Sequence, residues 1–225
     1  MSATVNKKRR RFLSKTLINS SSKGTAVITG ASSGMGAVYA DQLASRGYDL
    51  ILVARNRERL SAVAKRVSED TGRSVEIRVA DLGDRGDLAQ VEEILRTDAS
   101  ISLLVNNAGV GVPIPFLGAD IDKIDQMIEL NVTALVRLTY AVMPAFVERA
   151  KGSLINISSA LGIAPELLNG VYGGTKAFVL AFGLSLHKEF SADAVSTSRQ
   201  SCQVRPRPIS GISPRPHSMG SLQKL

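Results

Sequence analysis

Thr29-Gly30-Ala31-Ser32-Ser33-Gly34-Met35-Gly36 is the stretch on which the reading of the chain depends. An apolar run, Thr25-Ala26-Val27-Ile28, precedes it, and an amphipathic segment, Ala37 to Arg46, follows. Strand, glycine turn and helix in that order form the setting in which a Gly-rich loop takes a dinucleotide. Glycine permits backbone angles that a Cβ forbids and lets the chain pass close to a pyrophosphate. The helix that begins there offers unpaired N–H groups and a partial positive charge to phosphates. Gly30, Ser32, Ser33, Gly34, Met35 and Gly36 are therefore candidate phosphate contacts. Taken alone, these glycines also fit a purely structural turn.

Outward from this loop, strands alternate with helices. Thr25–Thr29 is predicted as the first strand and Ser33–Arg46 as the first helix, ended at Gly47. Tyr48–Ala54 is the second strand. Arg57–Asp70 is the second helix, with Leu60, Val63, Ala64 and Val67 at three-and-four spacing. Ser74–Ala80 is the third strand and Asp84–Thr97 the third helix, with Leu88, Val91 and Leu95 on one face. Ile101–Val105 is a solid apolar run, as expected where both faces of a sheet are covered. A long helical stretch (120–147), a fifth strand (152–157) and a sixth helix (171–190) follow. Regular βα alternation specifies an α/β fold: a parallel, doubly wound sheet with helices on both faces and right-handed crossovers. Ligands on such a sheet bind beyond the carboxyl ends of the strands.

The chemistry-bearing residues fall at those ends. Arg55 follows the second strand, where an acidic residue would bond a ribose 2′-hydroxyl and an arginine can pair with a 2′-phosphate. Arg57 and Arg59 are its candidate assistants; the other reading is a solvated helix start. Asp81-Leu82 follows the third strand, where a carboxylate could accept from an adenine amino group or simply cap a turn. Asn106-Asn107-Ala108-Gly109 follows the fourth; its Asn side chains can tie neighbouring strand ends together above a small-residue floor. Asn131 stands mid-helix, where Asn is a poor interior residue. Ser158-Ser159 ends the fifth strand. Tyr172 and Lys176 lie four apart on one helix face. A phenol titrates near 10, and a neighbouring ammonium favours the phenolate. Lowering that value by about 3 units takes roughly 4 kcal/mol of differential interaction. The tyrosine would then serve as a general acid/base near neutral pH.

Together, TGxxxGxG at 29–36, NNAG at 106–109, Asn131, Ser159 and Tyr172/Lys176 closely resemble the short-chain dehydrogenase/reductases, in that family's order and spacing, over residues 24–190. The resemblance implies a Rossmann fold and an oxidoreductase that transfers hydride between NADP(H) and a ketone or secondary alcohol. It implies that Tyr172 exchanges a proton with the substrate oxygen and that Ser159, rather than Ser158, holds that oxygen. Lys176 would assist Tyr172 and grip the nicotinamide ribose, and Asn131 would support a proton-relaying water. Gly30, Ser32, Ser33, Gly34, Met35, Gly36, Arg55, Asp81, Leu82, Asn107, Ala108, Gly109, Tyr172 and Lys176 form the expected cofactor site. Arg55 looks like the NADP(H)-preferring version, with NAD(H) possible. Pairing through the two long helices, 120–147 and 171–190, makes a homo-oligomer the expectation.

The net charge of +8 suggests nucleic acid until it is mapped. Residues 1–23 hold seven Lys/Arg and residues 199–225 five, with no acid in either; between them 16 Lys/Arg face 20 Asp/Glu. The body is thus acidic, which argues against a nucleic-acid-binding domain. The one cysteine, Cys202, excludes an internal disulfide and fits a reducing compartment, so a cytoplasmic protein is expected. No uninterrupted apolar run reaches the roughly 18–20 residues of a membrane span, and no membrane partner is expected. Arg9-Arg10-Arg11-Phe12-Leu13 opens like a twin-arginine signal, but Ser14 to Lys23 supplies no apolar h-region. Residues 1–23 are expected to be a disordered basic extension.

After Phe190 the resemblance stops. Four prolines between 206 and 216 bar a central strand there, so residues 191–225 are expected to be an irregular tail and the sheet truncated after the sixth helix. Ser191 to Pro214, back-translated and moved one base, admits codons for a strand and a Pro-Gly loop. A frameshift is therefore expected, and the alternative to an active enzyme is an inactive cofactor-binding remnant. The remaining loops, 111–117 and 160–169, are apolar and hint at an apolar carbonyl substrate.

Overall fold

The computed structural model describes residues 22–111, 116–164 and 170–190, and the backbone of 195–197. Six strands form one sheet in the order β3-β2-β1-β4-β5-β6: β1 Thr25–Thr29, β2 Asp49–Ala54, β3 Val75–Val79, β4 Ile101–Asn106, β5 Gly152–Asn156 and β6 Val195–Thr197. Every pairing is parallel, with Ile28 opposite Leu52 and Val105 and with Asn106 opposite Asn156. The strand order reverses between β1 and β4. That switch point places a crevice at their carboxyl ends.

Among the described residues, six helices cover the sheet: α1 Gly34–Ser45, α2 Arg57–Thr71, α3 Arg85–Thr97, α4 Ile121–Ile128, α5 Leu135–Glu148 and α6 Gly170–Phe190. A π-helical segment, Glu129–Ala134, joins α4 to α5. Successive strand residues feed opposite layers, as the two-residue period of a strand requires. Ala26, Ile28, Leu50, Leu52 and Val105 pack with Ala40 and Leu43 of α1 and Leu60 and Val67 of α2. Val27, Ile51, Val53 and Leu104 pack on the other face with Leu88 and Leu95 of α3, Leu138 and Phe146 of α5 and Leu186 of α6. Burying both faces explains the unbroken apolar runs of β1, β2 and β4. Glu92 of α3 is buried; burial raises its pKa, but hydrogen bonds from Arg137 of α5 and Arg96 outweigh this and hold the carboxyl below its ordinary range.

Three expectations change. The prolines that bar a strand begin at Pro206; upstream of them β6 adds Val195–Thr197 to the β5 edge, in register with Gly152–Leu154. An 18-residue window within Ile121–Glu148 reaches a mean hydropathy of 1.4, so by length and composition this helical stretch is apolar enough to cross a membrane. Asn131, Thr133 and Arg137 interrupt it in sequence without lowering its average below that level. Half of that window is buried inside the fold. Ser22 and Lys23 already belong to the body: the Lys23 N–H donates to the Gly47 carbonyl, and the Lys23 carbonyl accepts from the Ser102 hydroxyl. The rest of the basic extension, and residues 198–225 with the frameshift expected there, lie outside the described residues.

Candidate active site

The glycine loop is built by close contact. Gly30 has φ +65°, and a Cβ on it would stand 2.9 Å from both the Ala108 Cα and the Asn107 Nδ2. A Cβ on Gly36 would stand 2.3 Å from the Gly30 carbonyl oxygen and 2.7 Å from Asn107 Nδ2. Gly34, at φ +56°, faces open space, so its glycine serves conformation alone. Asn107 locks this arrangement by donating its side-chain amide to the carbonyls of Thr29 and Gly30. Thr29 Oγ1 in turn accepts the N–H groups of Asn107 and Ala108. The neighbouring Asn106 donates to Asn156 and to Thr139, tying β4 to β5 and to α5. The two asparagines thus do what the sequence suggested: they join strand ends.

The first turn of α1 differs from those of its neighbours. Helices α2, α3 and α4 are capped by the side chains of Asn56, Asp84 and Asp120. Ser33, at the same place on α1, makes no side-chain cap, and the first turn of α1 carries no acid. The positive dipole end of α1 is therefore neither capped nor neutralised by a side chain of its own first turn, and Ser33 beside it lines the crevice. A cavity of about 570 Å³ opens there, lined by Gly30, Ser32, Ser33, Arg55, Asp81, Leu82, Ala108 and Gly109 among others. Arg55 reaches across to Asp81 at 3.5 Å, both side chains substantially exposed. Asp81 also accepts the Gly83 N–H, so it serves a turn while lining the cavity. Arg59 and Asn56 stand on the same wall.

The second half of the site is a buried cluster. Gly109 lines the cavity, and a Cβ on it would lie 3.0 Å from Asn131 Oδ1 and 3.2 Å from Lys176 Nζ. The cavity wall, Asn131 and Lys176 thus converge on one α-carbon. The π segment explains how Asn131 sits inside a helix: it is 1 % exposed, and its amide bonds both backbone groups of Val110. Single π turns recur at functional sites. Lys176 donates to the Ile157 carbonyl at 3.0 Å, and burial pushes its pKa down to about 8. Its Nζ lies 6.0 Å from the centre of the Tyr172 ring. The Tyr172 ring packs beside Gly111, where a Cβ would touch it at 3.4 Å.

The two serines separate by role. Ser158 is buried and donates its hydroxyl to the Lys176 carbonyl at 2.7 Å. Ser159 is half-buried, and its hydroxyl accepts the Leu161 N–H at the start of a short turn, Ala160–Gly162. That turn abuts α6, with a Cβ on Gly162 only 2.7 Å from the Lys176 carbonyl oxygen. Met35, Gly34 and Gly36 belong to the α1 turn rather than to the cavity lining. Sequence reasoning passed over Thr29, Val110, Leu130 and Thr175. Thr29 was legible as the polar last residue of an apolar strand; Val110 acts through its backbone and left no side-chain signal. Of the apolar loop residues, Phe116 and Ile163 are exposed, while 112–115 and 165–169 lie outside the described residues.

Residues 24–202 match the family model for short chain dehydrogenases. That match runs past Phe190, beyond the motifs quoted above. The chain is 38 % identical over 174 residues to a very-long-chain 3-oxoacyl-CoA reductase of Anas platyrhynchos, covering 76 % of this chain and 56 % of that protein. It therefore spans about half the length of the curated relatives it matches. A short-chain dehydrogenase of Sphingobium yanoikuyae, solved with NADPH, is 47 % identical with a TM-score of 0.75, covering 76 % of this chain and 68 % of that one. A bulky-bulky ketone specific alcohol dehydrogenase of Comamonas testosteroni is 44 % identical with a TM-score of 0.76, covering 78 % and 70 %.

Proposed function

The chain belongs to the short-chain dehydrogenase family, and from that premise we propose that it reduces a ketone to a secondary alcohol, or runs the reverse reaction, with NADP(H) and Tyr172 as general acid/base. Gly109 carries the reading: one α-carbon lines the candidate cofactor cavity and abuts both Asn131 and Lys176. The uncapped α1 turn and the glycine cradle fit a pyrophosphate, and Arg55 with Arg59 fits a 2′-phosphate. Bound there, the cofactor supplies the hydride for the carbonyl carbon.

The remaining work falls to this chain. Ser159 donates to the carbonyl oxygen and orients it. Tyr172 gives its phenolic proton to that oxygen as negative charge develops, so the product leaves as a neutral alcohol. Lys176, cationic at neutral pH, stabilises the phenolate that remains and bonds the nicotinamide ribose. Asn131 fixes the Val110 backbone and so the floor of the site. The solved ketone-reducing relative supports a carbonyl substrate, and the exposed apolar Phe116 and Ile163 support an apolar one.

The deciding experiment is a titration of the chain with NADPH and NADH, followed by cofactor fluorescence; the absence of tryptophan keeps the protein background low. Saturable binding that prefers NADPH is expected. Absence of binding by a folded chain favours the inactive remnant. Arg55→Ala is expected to weaken NADPH by about 10-fold or more, in line with a charge-assisted phosphate contact of roughly 1.5–3 kcal/mol, and to leave NADH within about twofold. Equal losses for both cofactors would remove Arg55 from the 2′-phosphate role.

We also infer a homo-oligomer paired through α5 and α6. Between these helices lies an apolar groove of about 550 Å³ lined by Tyr140, Met143, Pro144, Phe182 and Leu186, with Tyr140 79 % exposed. Tyr140→Glu should shift sedimentation equilibrium toward the monomer; an unchanged oligomer mass would rule this face out. The single cysteine supports a reducing, cytoplasmic location.

A further inference from the structure

Thr175 takes no part in the family motifs quoted above, yet it stands where three parts of the site meet. It is buried, one residue before Lys176. Its hydroxyl donates to the Tyr172 carbonyl at 2.8 Å. The same oxygen accepts from Asn131 Nδ2 at 3.1 Å. The other hydrogen of that amide goes to the Val110 carbonyl at 2.8 Å, and Asn131 Oδ1 accepts the Val110 N–H at 2.9 Å. Val110 lines the candidate cofactor cavity. A continuous chain of hydrogen bonds therefore runs from the cavity wall, through Asn131 and the Thr175 hydroxyl, to the backbone of Tyr172.

We propose that Thr175 is a positioning residue, whose hydroxyl sets the α6 turn bearing Tyr172 and Lys176 in register with the cofactor-side loop after β4. The proposal rests on the reading of Tyr172 as acid/base. A hydroxyl suits this position, because the group must accept from Asn131 and donate to Tyr172 at once. A side chain without oxygen leaves the Asn131 amide hydrogen without an acceptor in a buried site. The amide then turns, and the clamp on Val110 loosens. Misplacement of reacting groups by about 1 Å can cost on the order of 100-fold in rate.

The test compares Thr175→Val, nearly the same shape without the hydroxyl, with Thr175→Ser, which keeps it. Each is measured for NADPH affinity by cofactor fluorescence and for NADPH-dependent reduction of benzil, a diaryl diketone. Thr175→Val is expected to lower kcat by about 10- to 100-fold, with KM and NADPH affinity within about threefold. Thr175→Ser is expected to restore at least half of the wild-type kcat. A wild-type kcat in Thr175→Val overturns the proposal. So does an equal loss in both variants, which would show that retaining the hydroxyl does not rescue turnover. Should the valine variant fail to fold, Thr175→Cys, a weaker donor of similar volume, carries the same expectation. Tyr172→Phe run in parallel separates the premise: full activity there, or none in the wild type, removes the acid/base reading itself, whereas an inactive Tyr172→Phe beside a fully active Thr175→Val removes only the role of Thr175.

Discussion

Tyr172→Phe is expected to lower carbonyl-dependent NADPH oxidation by about 10²- to 10⁴-fold, the range that a positioned general acid contributes, while NADPH affinity stays within about threefold. The substitution deletes one oxygen and keeps the ring. The ring is what packs beside Gly111, and the lysine below it keeps its own bond to the Ile157 carbonyl. Neither the fold nor the candidate cofactor cavity, whose lining comes from the ends of β1, β2, β3 and β4 and from Leu130, should therefore change. The loss belongs in kcat, because the proton is needed only as the carbonyl oxygen gains charge. Steady-state kinetics beside a cofactor titration reads both quantities. A variant that keeps wild-type turnover would move the acid/base role away from Tyr172.

Gly36→Ala has the second large expected effect, and it runs against helix propensity. Alanine in a helix interior is ordinarily favoured over glycine by about 1 kcal/mol. Here the added carbon would stand 2.3 Å from the Gly30 carbonyl oxygen, 2.7 Å from Asn107 Nδ2 and 2.9 Å from the Ala31 Cα. Two of these are backbone atoms. The third already bonds the carbonyls of Thr29 and Gly30 and cannot retreat without breaking those bonds. The helix must move instead, opening the cradle. Overpacking of this kind costs about 1–3 kcal/mol, and each 1 kcal/mol lowers the Tm by roughly 2–4 °C at this chain length. NADPH affinity is expected to fall at least about tenfold, since the same shift would move the start of α1, the end proposed to hold the phosphates. Gly34→Ala provides the contrast. It meets no atom within 4 Å and carries only the strain of φ +56°, about 1–2 kcal/mol. Equal behaviour of the two variants would show that packing around Gly36 is not the controlling factor.

Much of this was legible in the sequence because strands and helices write different periods into it. β1 was bounded correctly from its apolar run, and α2, expected over 57–70 from its three-and-four spacing, runs one residue further, to Thr71. The ligand loop was legible because glycine is the one residue whose absence of side chain is itself a signal. Hydrogen bonding was far less so. Asn131 raised a question that only the π segment answers, and its clamp on the Val110 backbone involves a residue with no polar side chain. The separate duties of Ser158 and Ser159 depend on which of two adjacent hydroxyls faces the α6 backbone. Composition cannot tell them apart. The strand at Val195–Thr197 was hidden by the prolines that follow it, which end a strand without saying where one stops.

The placement of β1 has a consequence for how the molecule is made. β1 pairs on one side with β2, about one helix further along the chain, and on the other with β4, which ends at Asn106. At a synthesis rate of roughly 5–20 residues per second, the intervening chain takes on the order of 4–15 s to appear. For that interval the central strand of the finished sheet is an edge, with Ala26, Val27 and Ile28 exposed beside it. Those residues are later fully buried. Unpaired apolar edges recruit other strands, so the nascent N-terminal half is where misassembly and chaperone dependence should concentrate, before any part of the α6 turn bearing Tyr172 and Lys176 has been translated.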